Sequence, residues 1–574
     1  MTRRLCRTSS LLALLTIAAC AGSTDVQPSG AGGSSSGSAG TSGAAGTGGS
    51  AGTTGAGATG GASAGTTGSA GSTATGTAGN GGTTGSAGTT GAAGRGGTTG
   101  AAGTTGTAGA GGRGGTTGAA GTTGTAGAGG RGGTTGMAGT TGRGGTTGIA
   151  GVSGGGGAGG CMITATSMLG TIPTVGIVTF TTNLTGITGA EIRFGPASSG
   201  PTMTAPVDLA QPSYRTLLLG MKGSTSYVYR VVATSGAGTC TSSDYTIMTG
   251  AVPTSAPKPT TTIMNAAAHS KGFMVTSSGV NGTGAWIFDA DGAPVWWSTG
   301  PSGTSRIQMS WDGSKMYLMA LNVQNTSAGA VKIINMDGSG STMASGMAAS
   351  HHDMTAIPGG FATLLWNATG TDAPCSLVER ADDGTTKTIV ADMTALYSTS
   401  NGRYHTNSVH YYPGDNTYTL GDRNPNAYVH ITRTGALLWQ FGGGSPKDQS
   451  KFFSGVPTWM VNHGHHMLSD GSFILFNNGS MSGGSSAARA FKLNTTNMTA
   501  TSSMTYMASG VSSNVMGDAQ FLPNGNILVT FSQSGIIHEI TSSGQLVASF
   551  NSAANPATFG YTEYRDSLYG PPPR

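Results

Sequence analysis

Histidines are concentrated in three short stretches of this chain. Seven of the ten histidines lie in the segments HHD at 351–353, HTNSVH at 405–410 and NHGHH at 462–466. A neutral imidazole near pH 7 can act as a nucleophile or as a proton donor and acceptor. Arg423, in the segment LGDRNPN, follows the second stretch by one predicted strand, and a guanidinium there could stabilise negative charge. The pattern predicts group transfer at a histidine-rich centre.

Recurring turns indicate the fold that positions these histidines. Beyond Pro259, a strand-turn-strand pattern recurs with turns near Asp291, Asp337, Asp383, Thr434, Thr495 and Ser543. A second set of six turns alternates with the first, in HSKG, SWDG, IPGG, YPGD, LSDG and LPNG. Two hairpins in every repeat of roughly fifty residues are what a four-stranded propeller blade requires. Residues 260–574 are therefore predicted to form a six-bladed β-propeller, whereas a β-sandwich or a β-helix would not explain paired turns.

Positions at equal distance from these turns should converge in a propeller. His352 and His463 both lie five residues before the residue that opens the following turn, Ile357 or Leu468. Equivalent positions in successive blades lie at the same radius and height, so the histidines are expected at one mouth of the central channel.

The same motifs resemble those of a known family. The segments HHDMTAIPGG, HTNSVHYYPGDNTYTLGDRNPNAYVHITRTGALLWQFG, HGHHMLSDGSFILFNNG and AQFLPNGNILVTF are similar, in this order, to motifs of the bacterial arylsulfotransferases over about 300 residues. The resemblance implies a nucleotide-independent enzyme that moves a sulfuryl group from an aryl sulfate ester to a phenol acceptor. It also implies a sulfohistidine intermediate.

The resemblance assigns roles to individual residues. It implies His463 as the nucleophile, and His352, His405 and Arg423 as the groups that bind the sulfate and handle protons. Asn407 would support substrate binding. No cofactor and no metal is expected, and no GxxxxGK[ST] loop for a nucleotide is present in the sequence.

One departure from the family pattern leaves other functions open. The family nucleophile stands in a Gln-His-Asp context, whereas this chain has Asn462-His463-Gly464. One alternative is a non-catalytic cell-surface propeller that binds a protein or a glycan at its channel mouth. Another is a zinc or copper site built from imidazoles of His351, His352, His405, His463 and His465.

A small β-sandwich is predicted ahead of the propeller, over 161–255. Its short β-branched and aromatic runs are separated by turns, and LLLGMKGSTSYVYRVVA around Tyr227 is similar to the fibronectin type III pattern. Cys161 and Cys240 bracket the segment, and a disulfide between them is expected in an oxidising compartment.

The front of the chain is predicted not to fold. Most of the 104 glycines lie in residues 21–160, with threonine, alanine and serine and an eighteen-residue repeat marked by Arg95, Arg113 and Arg131. Such a sequence buries too little apolar surface to offset the entropy of ordering, so a disordered tether with a reach of roughly 60–70 Å is expected. The net charge of +5 is scattered and indicates no nucleic-acid partner.

Residues 1–20 resemble a bacterial lipoprotein signal. Three arginines precede a short apolar run that ends in Ile17-Ala18-Ala19-Cys20, and the run is too short to span a bilayer. The prediction is an exported protein, lipidated on Cys20 and held in the cell envelope at the outer membrane, on its periplasmic or surface face.

Overall fold

A computed structural model describes residues 160–279, 282–323, 325–370, 372–443, 445–453, 459–479, 485–552 and 558–572, and four short upstream strands. The upstream strands pair in parallel and are Gly85–Ser86, Gly100–Ala101, Gly118–Ala120 and Gly136–Ala138. The predicted signal with Cys20, and the predicted tether apart from these short strands and residue 160, lie outside the described residues. Over the described ranges the regular elements are strands and short 3-10 helices, which confirms the all-β class, and no helix there is long and apolar enough to cross a membrane.

Residues 163–248 form two antiparallel sheets around a shared core. One sheet contains Ile163–Leu169, Gly176–Thr182 and Thr216–Leu218, and the other contains Ile187–Pro196, Met203–Pro206, Ser226–Ser235, Gly238–Thr241 and Tyr245–Met248. Alternate side chains of each strand face the partner sheet, with Val178, Ile192 and Val231 fully buried. A disulfide joins Cys161 to Cys240, whose Cα atoms are 6.1 Å apart. The fibronectin likeness stays a prediction.

The small domain contacts the next one through a few specific bonds. Arg215 forms an ion pair of 2.5 Å with Asp337, and the Tyr569 hydroxyl accepts a hydrogen bond from the Leu219 N–H at 2.7 Å. Tyr569 belongs to the C-terminal segment, so the end of the chain links the two domains.

Beyond residue 259, six sheets of four or five strands occur within the described ranges, and their strands pair antiparallel except that Phe452–Phe453 is parallel to Leu437–Gly442. In the order in which the strands pair, sheet 1 comprises Glu563–Arg565, Phe273–Ser277, Gly284–Phe288 and Pro294–Thr299. Sheet 2 comprises Thr304–Met309, Lys315–Ala320, Val331–Asn335 and Ser341–Met343. Sheet 3 comprises Ser350–Ile357, Gly360–Trp366, Cys375–Ala381 and Thr386–Val390. Sheet 4 comprises Thr406–Tyr412, Thr417–Asp422, Ala427–Thr432, Leu437–Gly442 and Phe452–Phe453. Sheet 5 comprises Asn462–Met467, Ser472–Asn477, Ala487–Asn494 and Thr499–Tyr506. Sheet 6 comprises Asp518–Phe521, Ile527–Phe531, Ile536–Ile540, Leu546–Asn551 and Thr260–Ile263. Eleven of the twelve predicted turns join neighbouring strands of one sheet, whereas HSKG links the strand Thr260–Ile263 of sheet 6 to the strand Phe273–Ser277 of sheet 1.

Apolar cores join each sheet to the next. One buried cluster bridges sheets 1 and 2, and similar clusters follow between every later pair. A further cluster joins sheet 6 to sheet 1, where Phe550 and Phe288 are buried together. Since every sheet packs on two neighbours, the six sheets form a closed, propeller-like ring in which the first strands are innermost.

The two ends of this domain close the ring. The strand Glu563–Arg565 pairs with Phe273–Ser277 and supplies the innermost strand of sheet 1. The strand Thr260–Ile263 pairs with Leu546–Asn551 at the outside of sheet 6. Each end therefore covers a sheet edge that would otherwise be exposed.

The inner closing strand should contribute far more stability than the outer one. Replacing Glu563-Tyr564-Arg565 by Ser-Gly-Ser removes three buried side chains, and losing one buried aromatic alone costs about 3–5 kcal/mol. The matched control replaces Thr260–Ile263, which is mostly exposed, by glycine and serine. Thermal unfolding should show a large loss of midpoint for the first variant and a small one for the second; equal losses would contradict this account of closure.

Candidate active site

The innermost strands are irregular where the histidines lie. In four of the six sheets the pairing of the innermost strand with its neighbour shifts at the same place, between Thr304 and Arg306, His351 and Met354, Thr406 and Ser408, and Asn462 and His465. A bulge of this kind re-aims side chains and ends the pairing locally. His352 also has a positive φ of 54°, which a non-glycine residue adopts at a cost. Regular backbone pairing is therefore lost at the places where the innermost strands position the histidines.

Three of the predicted histidines and Arg423 come together in the interior. His352, His405, His463 and Arg423 are between 0% and 4% exposed. The Nε2 atoms of His352 and His405 are 3.1 Å apart, and Arg423 and His463 are both close enough to lower the pKa of His352. The structure thus places the four residues predicted from the sequence in one cluster.

The His352 ring is held on both sides. Its Nδ1 lies 2.9 Å from Nδ1 of His351, and the His351 ring stacks on Trp366 with centroids 3.8 Å apart. Burial, and then the neighbouring His405, lower the pKa of His352 well below its usual range. The His352–His405 contact is therefore a hydrogen bond between rings in which one Nε2 donates and the other accepts.

Asp372 supports the far side of His405. Its Oδ1 lies 3.5 Å from Nδ1 of His405 and accepts a hydrogen bond from the Asn424 side chain at 2.8 Å. Although burial opposes the shift, hydrogen bonds from His405, Asn424 and Arg403 lower the pKa of Asp372 below the usual range. The carboxylate therefore stays ionised and stabilises a proton on Nδ1 of His405.

Asn478 fixes the tautomer of His463. The Asn478 Nδ2 donates to the backbone carbonyls of Ser513 at 2.6 Å and Met516 at 2.7 Å, so its Oδ1 must face the imidazole. That Oδ1 lies 2.6 Å from Nδ1 of His463. Because an amide oxygen only accepts, Nδ1 carries the proton and Nε2 keeps its lone pair. Burial, and then the charge of Arg423, lower the pKa of His463 to about 3, so the ring is neutral at pH 7.

Asn478 was not found by sequence reasoning. It follows the strand in SFILFNNG, within one of the segments that are similar to the family motifs. Nothing in its spacing to His463 marks it, because its role depends on where two carbonyls of the segment before sheet 6 lie. The family pattern keeps an acid beside the nucleophile; here a neutral amide from a different strand orients the ring.

Asn407 has a positioning role in this structure. Its Nδ2 donates to the Asn462 carbonyl at 2.8 Å, the residue before His463. Its Oδ1 is buried and has no hydrogen bond partner among the described residues, and the same holds for both side-chain atoms of Asn462. Buried polar atoms without partners are rare and commonly mark the place of a ligand or a water.

One residue further along the innermost strands, a buried ion pair crosses the channel. Arg306 donates from Nε to Asp353 at 2.6 Å and from Nη1 to Asp518 at 3.3 Å, and it lies over the Tyr561 ring. Although burial opposes the shift, these carboxylates raise the pKa of Arg306. We call this group, Arg306 with Asp353 and Asp518, the ionic septum.

The ionic septum accounts for Gly464. A Cβ at position 464 would lie 2.1 Å from Oδ1 and 2.6 Å from Cγ of Asp518. The Gly464 N–H also donates to the Gly517 carbonyl at 3.0 Å, which fixes the approach of the two strands. The carboxyl group of Asp518 thus fills the space beside His463 that a side chain at position 464 would need.

The other histidines are placed elsewhere. The ring of His465 contacts the Ser408 and Thr419 hydroxyls at 3.0 and 2.6 Å, and His466 accepts from the Phe521 N–H at 3.2 Å. Within the described ranges, no three histidine, cysteine, aspartate or glutamate side chains are arranged as metal ligands. The metal alternative therefore gains no support from the geometry.

The fold and this cluster define an all-β, propeller-like protein with a buried histidine–arginine centre. Residues 375–553 match the model of the arylsulfotransferase (ASST) family, and this segment includes His405, Asn407, Arg423 and His463 but not His352. The resemblance predicted from the sequence is confirmed over that segment, and the match supports an aryl sulfotransferase activity in general.

Solved structures add only distant similarity. A functionally unknown protein from Desulfotomaculum acetoxidans is 12% identical, with 51% of this chain and 99% of that one covered and a TM-score of 0.35. TolB from Acinetobacter baumannii is 9% identical over 60% and 80% of the two chains, with a TM-score of 0.33. A streptogramin B lyase is 13% identical over 54% and 98%, also at 0.33. No curated protein matches the chain.

Gly464→Ala should disturb the ionic septum. The added methyl group collides with the Asp518 carboxyl group, and such overpacking costs about 1–3 kcal/mol. Asp518→Ala removes the colliding atoms, so the double variant should be more stable than the sum of the two single effects predicts. The free energy of unfolding in urea measures this coupling. Gly414→Ala, in a turn with open space around it, is the control, and strict additivity of the 464 and 518 effects would refute the contact.

Proposed function

We propose that this protein transfers a sulfuryl group from an aryl sulfate ester to a phenol through a sulfohistidine at His463. The observation that carries the proposal is the fixed tautomer of His463. Asn478 holds the proton on Nδ1, burial and Arg423 keep the ring neutral, and Nε2 is left as a nucleophile beside a guanidinium. The family match over 375–553 supports the same class of reaction.

In the first step, the lone pair of His463 Nε2 attacks the sulfur atom. The nitrogen–sulfur bond forms as the bond from sulfur to the aryl oxygen breaks, and the electron pair leaves with the phenolate. His405, as an imidazolium paired with the Asp372 carboxylate, gives the Nε2 proton that it shares with Nε2 of His352 to that phenolate, which leaves as a phenol, and His405 becomes a neutral imidazole. General acid catalysis of this kind contributes roughly 10²–10⁴-fold.

The loss of this proton is coupled to Asp372 and Arg423. The carboxylate of Asp372 holds the proton on Nδ1 of His405, so His405 cycles between an imidazolium and a neutral imidazole and no imidazolate forms. By analogy with phosphoryl transfer, the transition state is loose and leaves negative charge on the equatorial oxygens. Arg423, whose charge acts on both His352 and His463, stabilises that charge.

In the second step, a phenol acceptor occupies the place of the leaving group. The His352–His405 pair takes the proton of its hydroxyl, the oxygen attacks sulfur, and the nitrogen–sulfur bond returns its electron pair to His463. The aryl sulfate donor and the phenol acceptor are chemically alike, so one set of residues serves both half-reactions. No nucleotide takes part in either step.

Acceptor-dependent release of nitrophenolate from p-nitrophenyl sulfate tests the proposal. His463→Ala should lower the rate by about 10³-fold or more, because it removes the nucleophile. The control is His538→Ala, since His538 is a buried histidine of sheet 6 that bonds to Tyr506 outside the cluster. If several aryl sulfates give no release with a folded wild-type chain, the non-catalytic binding propeller becomes the better account, or a metal site if metal survives dialysis.

The pH profile of the first step tests the state of His463. The reactive form is neutral, and it is present above the pKa, which burial and the Arg423 charge lower to about 3. The kcat/KM for the donor should therefore stay level from neutral pH down to about pH 5, whereas an ordinary histidine with a pKa of about 6.5 would already lose activity. Arg423→Gln should reduce kcat and move the midpoint upward. A wild-type midpoint near 6.5 would contradict the assigned state, provided circular dichroism shows the fold intact.

We further propose that the chain is exported and anchored by lipid on Cys20. The basic start, the short apolar run and the small residues before Cys20 support this assignment. Cells fed a radiolabelled fatty acid should incorporate label into the wild-type protein, and Cys20→Ala should abolish it while Cys6→Ala should not. Equal labelling of the wild type and Cys20→Ala would contradict the assignment.

A further inference from the structure

A cavity of about 890 Å³ lies on the side of the ionic septum away from His463. Arg306 and Asp518 line its inner end, and the residues two positions further along the innermost strands form its wall. Alternate residues of a strand point to the same face, so one such position from each sheet reaches the channel. The six wall residues are Gln308, Thr355, His410, His466, Gln520 and Glu563. Its volume falls in the roughly 300–1,000 Å³ range of ligand sites.

Four of the wall residues make the same kind of bond. Each accepts a hydrogen bond from a backbone N–H of the next sheet. The pairs are Gln308 with Ala356 at 2.5 Å, Thr355 with Tyr411 at 3.3 Å, His466 with Phe521 at 3.2 Å and Gln520 with Tyr564 at 2.9 Å. The acceptor atoms of these side chains are therefore committed to the structure.

Their donor groups remain available. The Nε2 groups of Gln308 and Gln520 have no acceptor among the described residues. Burial lowers the pKa of His466 to about 4, so its ring is neutral at pH 7. Because Nδ1 of His466 accepts, its proton lies on Nε2. The wall therefore presents N–H and O–H donors.

The remaining two wall residues add unpaired acceptor capacity. The Oε2 atom of Glu563 is buried and has no hydrogen bond partner within the described part of the chain; its Oε1 contacts Arg565 at 3.4 Å. The ring of His410 contacts other rings but forms no hydrogen bond there. A buried polar group without a partner is unfavourable, so the cavity is suited to a hydrogen-bonding occupant.

The charges around the cavity favour a neutral occupant. Arg306 is already paired with Asp353 and Asp518, so no cation is left for a sulfate or a carboxylate. Burial, and then neighbouring histidines, lower the pKa of His410 well below its usual range, so this ring is neutral as well.

The mouth of the cavity is apolar and open. Trp311, Leu438, Met467 and Met498 line it and are partly exposed. The exposed turns at 414–415 and 469–470 form part of its rim. An occupant would thus meet hydrogen-bonding groups inside and apolar surface outside.

We propose that this cavity binds a neutral saccharide. A sugar ring carries several hydroxyls, each of which donates and accepts, and its C–H faces pack on aromatic surfaces such as that of Trp311. A phenol has a single hydroxyl and would leave most of the six wall residues unpaired. The site lies across the ionic septum from His463 and is independent of sulfuryl transfer.

Isothermal titration calorimetry of the full-length chain tests this proposal with glucose, N-acetylglucosamine, cellobiose, maltose, lactose and chitobiose as probes. At least one should bind with a Kd in the millimolar range or tighter. Trp311→Ala, at the exposed mouth, and His410→Leu, which breaks no hydrogen bond, should each weaken that binding by about tenfold or more. Both should keep turnover of p-nitrophenyl sulfate, if the wild type has it.

The control variant is His538→Leu, outside the cavity, which should bind as the wild type does. Three results would overturn the proposal: no heat from any of the six saccharides, equal binding by the wild type and both cavity variants, or binding of p-nitrophenol in this cavity without any saccharide. Thermal unfolding of each variant verifies that it is folded. A failure of sulfuryl transfer alone would leave the saccharide result unaffected.

Discussion

The ion pair of Arg306 with Asp353 and Asp518 is the constraint on which the interior of this protein depends. Three innermost strands supply one charge each, and the guanidinium bonds to both carboxylates. Removing one partner of a buried pair leaves an uncompensated charge and costs several kcal/mol. Burial raises the pKa of Asp518 to about 7, so near neutral pH the charged and the protonated forms of this carboxyl group are close in free energy. The pair fixes the distance between sheets 2, 3 and 6 and divides the channel into two levels.

The two levels use the same geometry for different chemistry. On one side, bulged strands and the positive φ of His352 bring imidazoles and Arg423 into contact, as a group-transfer centre needs. On the other side, the strands are regular, and four of the six wall residues bond to the backbone of the next sheet. The same radial repeat therefore builds a strained centre in one place and a rigid, donor-lined cavity in another.

Gly464 illustrates how the structure accommodates a departure from the family pattern. The missing acid beside His463 is not simply lost, because the carboxyl group of Asp518 occupies the adjoining space. The orientation of the His463 ring depends on Asn478, which is fixed by two carbonyls of the segment before sheet 6. A sequence comparison at position 464 alone would miss both substitutes, since they come from other strands.

The sequence by itself determined the all-β class, the positions of the turns, and the residues His352, His405, Arg423 and His463, because hairpin turns and motifs are local patterns. Only the tertiary structure decided the tautomer of His463, the partners of Arg306, and the role of the strand Glu563–Arg565 in closing the ring. Asp353 and Asp518 are 47 and 212 residues from Arg306, and no local periodicity encodes such a contact. These groups meet because every innermost strand converges on one axis, and that convergence exists only once the ring has closed.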